Sequence, residues 1–90
     1  MMRITRVPGT DGVARLHIEG RLTGDGAKEL AASCEAYLAL RHPLLLDVAA
    51  VTFVDGEGVA VLESAVRRGA ALAGCSPFLN ELLREHRGGS

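Results

Sequence analysis

The stretch from Leu44 to Val59 constrains this chain more than any other. It opens on Leu44-Leu45-Leu46-Asp47-Val48 and closes on Val54-Asp55-Gly56-Glu57-Gly58-Val59. The first part reads as a strand, the second as a tight entry into a helix with a carboxylate at its cap. A nearly unbroken apolar strand argues for a sheet covered on both faces or nearly so, as in α/β proteins with parallel pairing. In open sheets of that kind the working surface lies beyond the carboxyl ends of the strands. Asp55 to Gly58 fall there, so the functional question is what this helix start can receive.

Ninety residues leave room for one hydrophobic core and no second domain. We assign residues 1–87 to that domain and 88–90 to a flexible tail. An apolar content of 48% excludes a disordered chain. Tyr37, Phe53 and Phe78 are the only aromatics, which speaks against base stacking on single-stranded nucleic acid. A formal charge of -1 supplies no basic footprint for DNA or RNA and no polybasic membrane patch. No apolar run has the length of a membrane span or a signal peptide, so a cytoplasmic protein without direct membrane insertion is expected. Cys34 and Cys75 fit free thiols in a reducing compartment.

Arg3–Val7 and Val13–Glu19 alternate in polarity and flank the turn-rich Pro8-Gly9-Thr10-Asp11-Gly12, predicting a β-hairpin. From Ala27 the spacing becomes helical, with Ala27, Leu30, Ala31, Cys34 and Leu38 on one face and Thr23 or Asp25 as the N-cap. Arg41-His42-Pro43 ends this helix. The apolar strand is expected over Leu44–Val48, followed by a loop to Asp55. Asp55 then caps a helix whose inner face is Val59, Leu62, Ala65 and Val66, closed by Gly69. Ala70–Gly74 reads as a short strand, and Ser76-Pro77 opens a last helix that buries Phe78, Leu79, Leu82 and Leu83. The order is β-β-α-β-α-β-α. Right-handed crossovers make this an α/β fold with a four-stranded mixed sheet, the first strand antiparallel at the edge and the others parallel.

Three pieces of the chain resemble the STAS domain, the fold of bacterial anti-sigma factor antagonists and of sulfate-transporter tails. Gly20-Arg21-Leu22-Thr23 stands where the family has Gly-x-Leu-Asp, and Leu45-Leu46-Asp47-Val48 fits its Leu-Asp-Leu strand. Phe53-Val54-Asp55-Gly56-Glu57-Gly58-Val59 fits its aromatic-aliphatic-Asp-Ser-Ser-Gly-Leu motif. The resemblance implies a non-enzymatic signalling module that binds an anti-sigma factor or kinase-like regulatory protein and needs no cofactor. It also places Gly56 where phospho-regulated members carry the phosphorylated serine, with Glu57 for the next serine and Thr23 for the turn Asp. Glycine has no hydroxyl, so phosphorylation cannot occur at this position. A phosphoserine would bring about -1.5 to -2 charges to the helix start. Glu57 brings a single permanent one, and it either fixes the surface in one binding state or simply complements the dipole of the first turn.

The resemblance implies a docking surface at the second helix start, formed by Thr52, Asp55, Gly56, Glu57, Gly58 and Val61, with Thr23 and Asp25 flanking it. Gly56 and Gly58 are expected to admit a partner's backbone. A second partner class keeps the same fold: small STAS subunits also bind the ATPase of lipid-trafficking ABC transporters. The oligomeric state is not legible.

Other chemistry finds little support. Gly24 with Gly26, and Gly56 with Gly58, lack the third glycine of a dinucleotide fingerprint, and no Gly-Lys-Ser/Thr follows. His17, His42 and His86 show no paired ligand spacing with the cysteines, so no metal site is expected. A response-regulator receiver would need a lysine late in the chain, and the sole lysine is Lys28. Cys75 is the one candidate nucleophile, at a strand end before a helix start where a thiolate can be stabilised, which leaves a small thiol enzyme as a further alternative to a binding module.

Overall fold

The structure is a computed structural model that describes residues 2–7, 9 and 11–88, with side chains to residue 84. Seven elements follow in order: β1 (Met2–Val7), β2 (Ala14–Leu22), α1 (Gly24–Leu38), β3 (Leu44–Val54), α2 (Gly56–Arg67), β4 (Ala71–Ala73) and α3 (Pro77–Gly88). The strands form one sheet in the order β1-β2-β3-β4. β1 is antiparallel to β2, while β2–β3 and β3–β4 are parallel. This is the α/β mixed-sheet order expected from the sequence. Pro8 and Thr10 of the expected turn, and Gly89 and Ser90 of the expected tail, lie outside the described residues. Gly88 belongs to α3 rather than to a tail.

The core gathers on one face of the sheet. Leu16, Ile18 and Leu22 of β2 and Leu44, Leu46 and Val48 of β3 are buried against Leu30 of α1, Leu62 of α2, and Leu79 and Leu83 of α3. The alternate residues Arg15, His17 and Glu19, with Leu45 and Asp47 beside them, are only half-buried. His17 Nδ1 lies 3.2 Å from Asp47 Oδ2 across this second face. The expected cover on both faces is therefore corrected to cover on one. An apolar run can thus belong to a half-open strand, here with half-buried Leu45 on the outer face in register with Arg15 and Ala71.

β3 also runs six residues beyond its expected end at Val48. Its pairing starts at Ala14↔Leu44 and finishes at Leu22↔Val54, with register shifts between His17 and Glu19 and between Gly20 and Arg21. β3 thus carries two extra residues, as bulges do. Each one inverts the inside–outside alternation, which erases the period-2 signal after Val48. In the first irregular segment the Ala49 N–H donates to Asp47 Oδ1 at 3.1 Å. That satisfies a carboxylate inside an otherwise apolar strand.

Two helix details differ from expectation. α1 begins at Gly24, three residues earlier than Ala27, with Thr23 at the N-cap position but making no side-chain cap bond. Phe78 is 62% exposed, because Leu79 and Leu83 take the inner face of α3 and position 78 lies off that stripe. Ser76 does cap α3, its Oγ accepting the Leu79 N–H at 3.1 Å.

Candidate functional site

β2 and β3 deliver their chains side by side to the starts of α1 and α2. The Asp55 N–H donates to the Leu22 carbonyl at 3.2 Å, which joins the two strand ends. The Asp55 carboxylate then serves both helices. Oδ1 accepts the Gly58 N–H at 2.8 Å as an N-cap, and Oδ2 accepts the Gly24 N–H at 3.1 Å. One side chain therefore satisfies orphan donors at two helix starts that are far apart in sequence. This explains why Thr23 need not cap its own helix. The Gly58 N–H bond above all, with help from Gly24, holds the Asp55 carboxyl below its ordinary range against an opposing desolvation. Asp55 is thus a carboxylate at neutral pH.

The expected site residues sit as follows. Thr52, Gly56 and Glu57 are exposed, Asp55 and Val61 are half-buried, and Asp25 is exposed in the first turn of α1 beside half-buried Thr23. The Asp55–Gly24 bond brings the Thr23–Asp25 segment to the α2 start. A Cβ built on Gly56 would meet nothing within 4 Å. Gly58 is different. It is buried, and a Cβ there would lie 2.4 Å from the Leu22 carbonyl oxygen and 2.7 Å from Val54 Cγ1. The expected role of Gly58, admitting a partner backbone, is corrected: it admits the domain's own β2 and β3 ends. Val61 lies apart from the corner, in a slot of about 270 Å³ between α1 and α2, floored by Cys34 and Ala65 and closed at one end by Arg68 and Glu35. Arg68 reaches Glu35 with bonds of 2.8 and 2.9 Å.

Sequence reasoning missed Gly24 and Leu22 as backbone partners of Asp55, since neither contributes a side chain to that contact. It also missed Phe53, which is 44% exposed with the Arg21 guanidinium 5.0 Å above its ring. The bulges hide which face Phe53 occupies. Cys75 is half-buried and burial pushes its thiol up, opposite to an activated nucleophile. Burial raises Cys34 to about 11. Among the described residues no three His, Cys, Asp or Glu side chains gather as a metal site. No helix among them is long and apolar enough to cross a membrane.

Known structures share this fold. The anti-sigma factor antagonist SpoIIAA in its unphosphorylated form superposes with a TM-score of 0.75 at 13% identity, over 92% of this chain and 83% of that one. An anti-sigma factor antagonist from Mycobacterium paratuberculosis gives 0.77 at 21% identity, over 99% of this chain and 79% of that one. At these identities the likeness is one of fold. No curated protein matches the chain. The family model STAS_2, described as "Mlab, STAS domain", matches residues 5–87, and with the mixed sheet and the Asp55-capped α2 start in place, the chain belongs to that STAS family.

Proposed function

We propose that this chain is a non-enzymatic interaction module that binds a regulatory protein, an anti-sigma factor or a kinase-like relative, through the start of α2. Asp55 sets the geometry of that corner, Thr52, Gly56 and Glu57 form its exposed edge, and Thr23 and Asp25 flank it. Gly56 occupies the acceptor position of phospho-regulated relatives, so charge here is fixed by Glu57 rather than switched. The observation carrying this reading is the exposure of Gly56 with open space around it, directly after a carboxylate that locks two helix starts together. Such a corner is rigid in its backbone and open on its outside, which suits docking with little ordering cost.

A second reading keeps the surface and changes the partner to the ATPase of a lipid-trafficking ABC transporter. The match to the model described as "Mlab, STAS domain" is the reason to retain it. Affinity capture from the native cell, read by mass spectrometry, separates the two. A sigma-pathway protein supports the first, and a transporter ATPase the second. A Gly56→Ser variant offered to an anti-sigma kinase tests the acceptor assignment. Failure of that variant to take phosphate, while a phospho-regulated relative does, contradicts it.

A further inference from the structure

The opposite end of the domain, where β2 and β3 begin, holds two adjoining depressions of about 450 and 510 Å³. His42 stands in the wall of both. The first is also lined by Arg6, Val7, Val13 and Tyr37, and the second by Arg41. Both volumes fall in the range of small-molecule sites, roughly 300–1,000 Å³.

Among the described residues, two carboxylates near this end are already engaged: Asp11 by Arg15 at 2.6 Å and Glu35 by Arg68 at 2.8 Å. Arg6 and Arg41 have no carboxylate within ion-pair distance among the described residues. The Arg6 guanidinium instead lies 5.6 Å from the centre of the Tyr37 ring, which meets His42 edge-on at 5.8 Å. Two cations without an ion-pair partner among the described residues therefore border a wall of two rings and two valines, in a chain whose net charge is -1.

The backbone adds an independent observation. After α1 the His42 N–H donates to the Tyr37 carbonyl at 3.0 Å, closing a Schellman-type turn with Arg41 at φ +54. Glycine is the unstrained residue at that position. Arg41 is the one described non-glycine residue with positive φ, and it is exposed, so no packing of its side chain repays the strain. The His42 ring is fixed by Nδ1 donating to the Pro43 carbonyl at 2.9 Å.

We propose that this end binds a small organic anion, a carboxylate or phosphate carried on a flat apolar group. Arg6 and Arg41 take the anion, and the Tyr37 and His42 rings with Val7 and Val13 take the flat group. The site is separate from the α2 start and stands whether or not that corner docks a protein. The test is a titration of the full chain, followed by amide NMR, with phenyl phosphate, benzoate, inorganic phosphate and phenol. Phenyl phosphate, benzoate or both shift the amides of Arg6, Tyr37 and His42 saturably, and the stronger of the two identifies the anion class. Phenol leaves those amides in place. Arg6→Gln weakens binding about tenfold, the worth of one charge-assisted hydrogen bond. Arg41→Gly also weakens it while raising thermal stability, a pairing that a structural role alone does not produce. Arg3→Gln, elsewhere on β1, leaves it unchanged. Equal saturation by inorganic phosphate overturns the part given to the rings. No saturable shift with any anion, or unchanged affinity in both Arg6→Gln and Arg41→Gly, overturns the site.

Discussion

Replacing Gly58 by alanine adds one methyl group where the ends of β2 and β3 leave no room for it. Its Cβ would stand 2.4 Å from the Leu22 carbonyl oxygen, 2.7 Å from Val54 Cγ1 and 3.0 Å from Leu22 Cγ. The oxygen cannot retreat freely, because it accepts the Asp55 N–H. Relief requires the first turn of α2 to lift from the strand ends, which strains the Asp55 bonds to Gly58 and Gly24 as well. Overpacking of this kind costs typically 1–3 kcal/mol, at the upper end where backbone is the obstacle. Alanine returns about 1 kcal/mol of helix propensity. The net loss is about 1–2 kcal/mol, which lowers the Tm of a domain this size by roughly 5–15 °C. Two residues earlier, the same change has the opposite sign. Gly56→Ala meets nothing within 4 Å and needs no positive φ. It stabilises by about 0.4–1 kcal/mol through the unfolded chain. Thermal and urea unfolding of the two variants, side by side with the parent, gives the comparison. A Gly58→Ala protein as stable as the parent, or shifts of the same sign in both variants, refutes the packing argument.

Arg41→Gly relieves a left-handed backbone at φ +54 and raises stability by about 1 kcal/mol in a urea melt; a loss of stability contradicts the strain. Asp55, Asp47, Asp11 and Glu35 all have folded pKa values below their ordinary ones. Their stabilisation is therefore present above the unfolded carboxylate range, about 4, and is lost as pH falls through the lower folded values. Asp55→Asn removes one of these titrations, so its Tm-against-pH curve below that range is flatter than the parent's, and an equal slope contradicts the assignment. Cys75 reacts with a disulfide reagent more slowly than free cysteine at mildly alkaline pH, and Cys34 reacts only on unfolding. A fast Cys75 revives the thiol-enzyme reading.

The element order and sheet topology were legible because turn residues, helix spacing and the Asp55 and Ser76 caps all act locally. Asp55 was legible as a cap of α2 for the same reason. Its second bond, to Gly24, was not, since the partner is a backbone N–H 31 residues away that leaves no pattern in its segment. The length of β3 was hidden by its two register shifts, which cancel the alternation that would reveal a strand. The one-sided burial of the sheet was misread because Leu44, Leu45 and Leu46 look alike in sequence, while only the first and third face the helices. Gly58 was recognised as special for the wrong reason. A glycine demanded by close approach reads the same whether the neighbour is a partner or the chain itself.

The central proposal is that an external protein docks on the corner at Gly56. It is tested by measuring, by calorimetry with the partner recovered from the native cell, the affinity of the parent, Gly56→Arg and Glu19→Gln. Gly56→Arg has room to fold, since nothing stands within 4 Å of that position, yet it fills the docking edge. Glu19 lies on the open face of the sheet. We predict at least a tenfold loss, about 1.4 kcal/mol, for Gly56→Arg, with parental stability and no change for Glu19→Gln. Parental affinity in a folded Gly56→Arg protein contradicts the account.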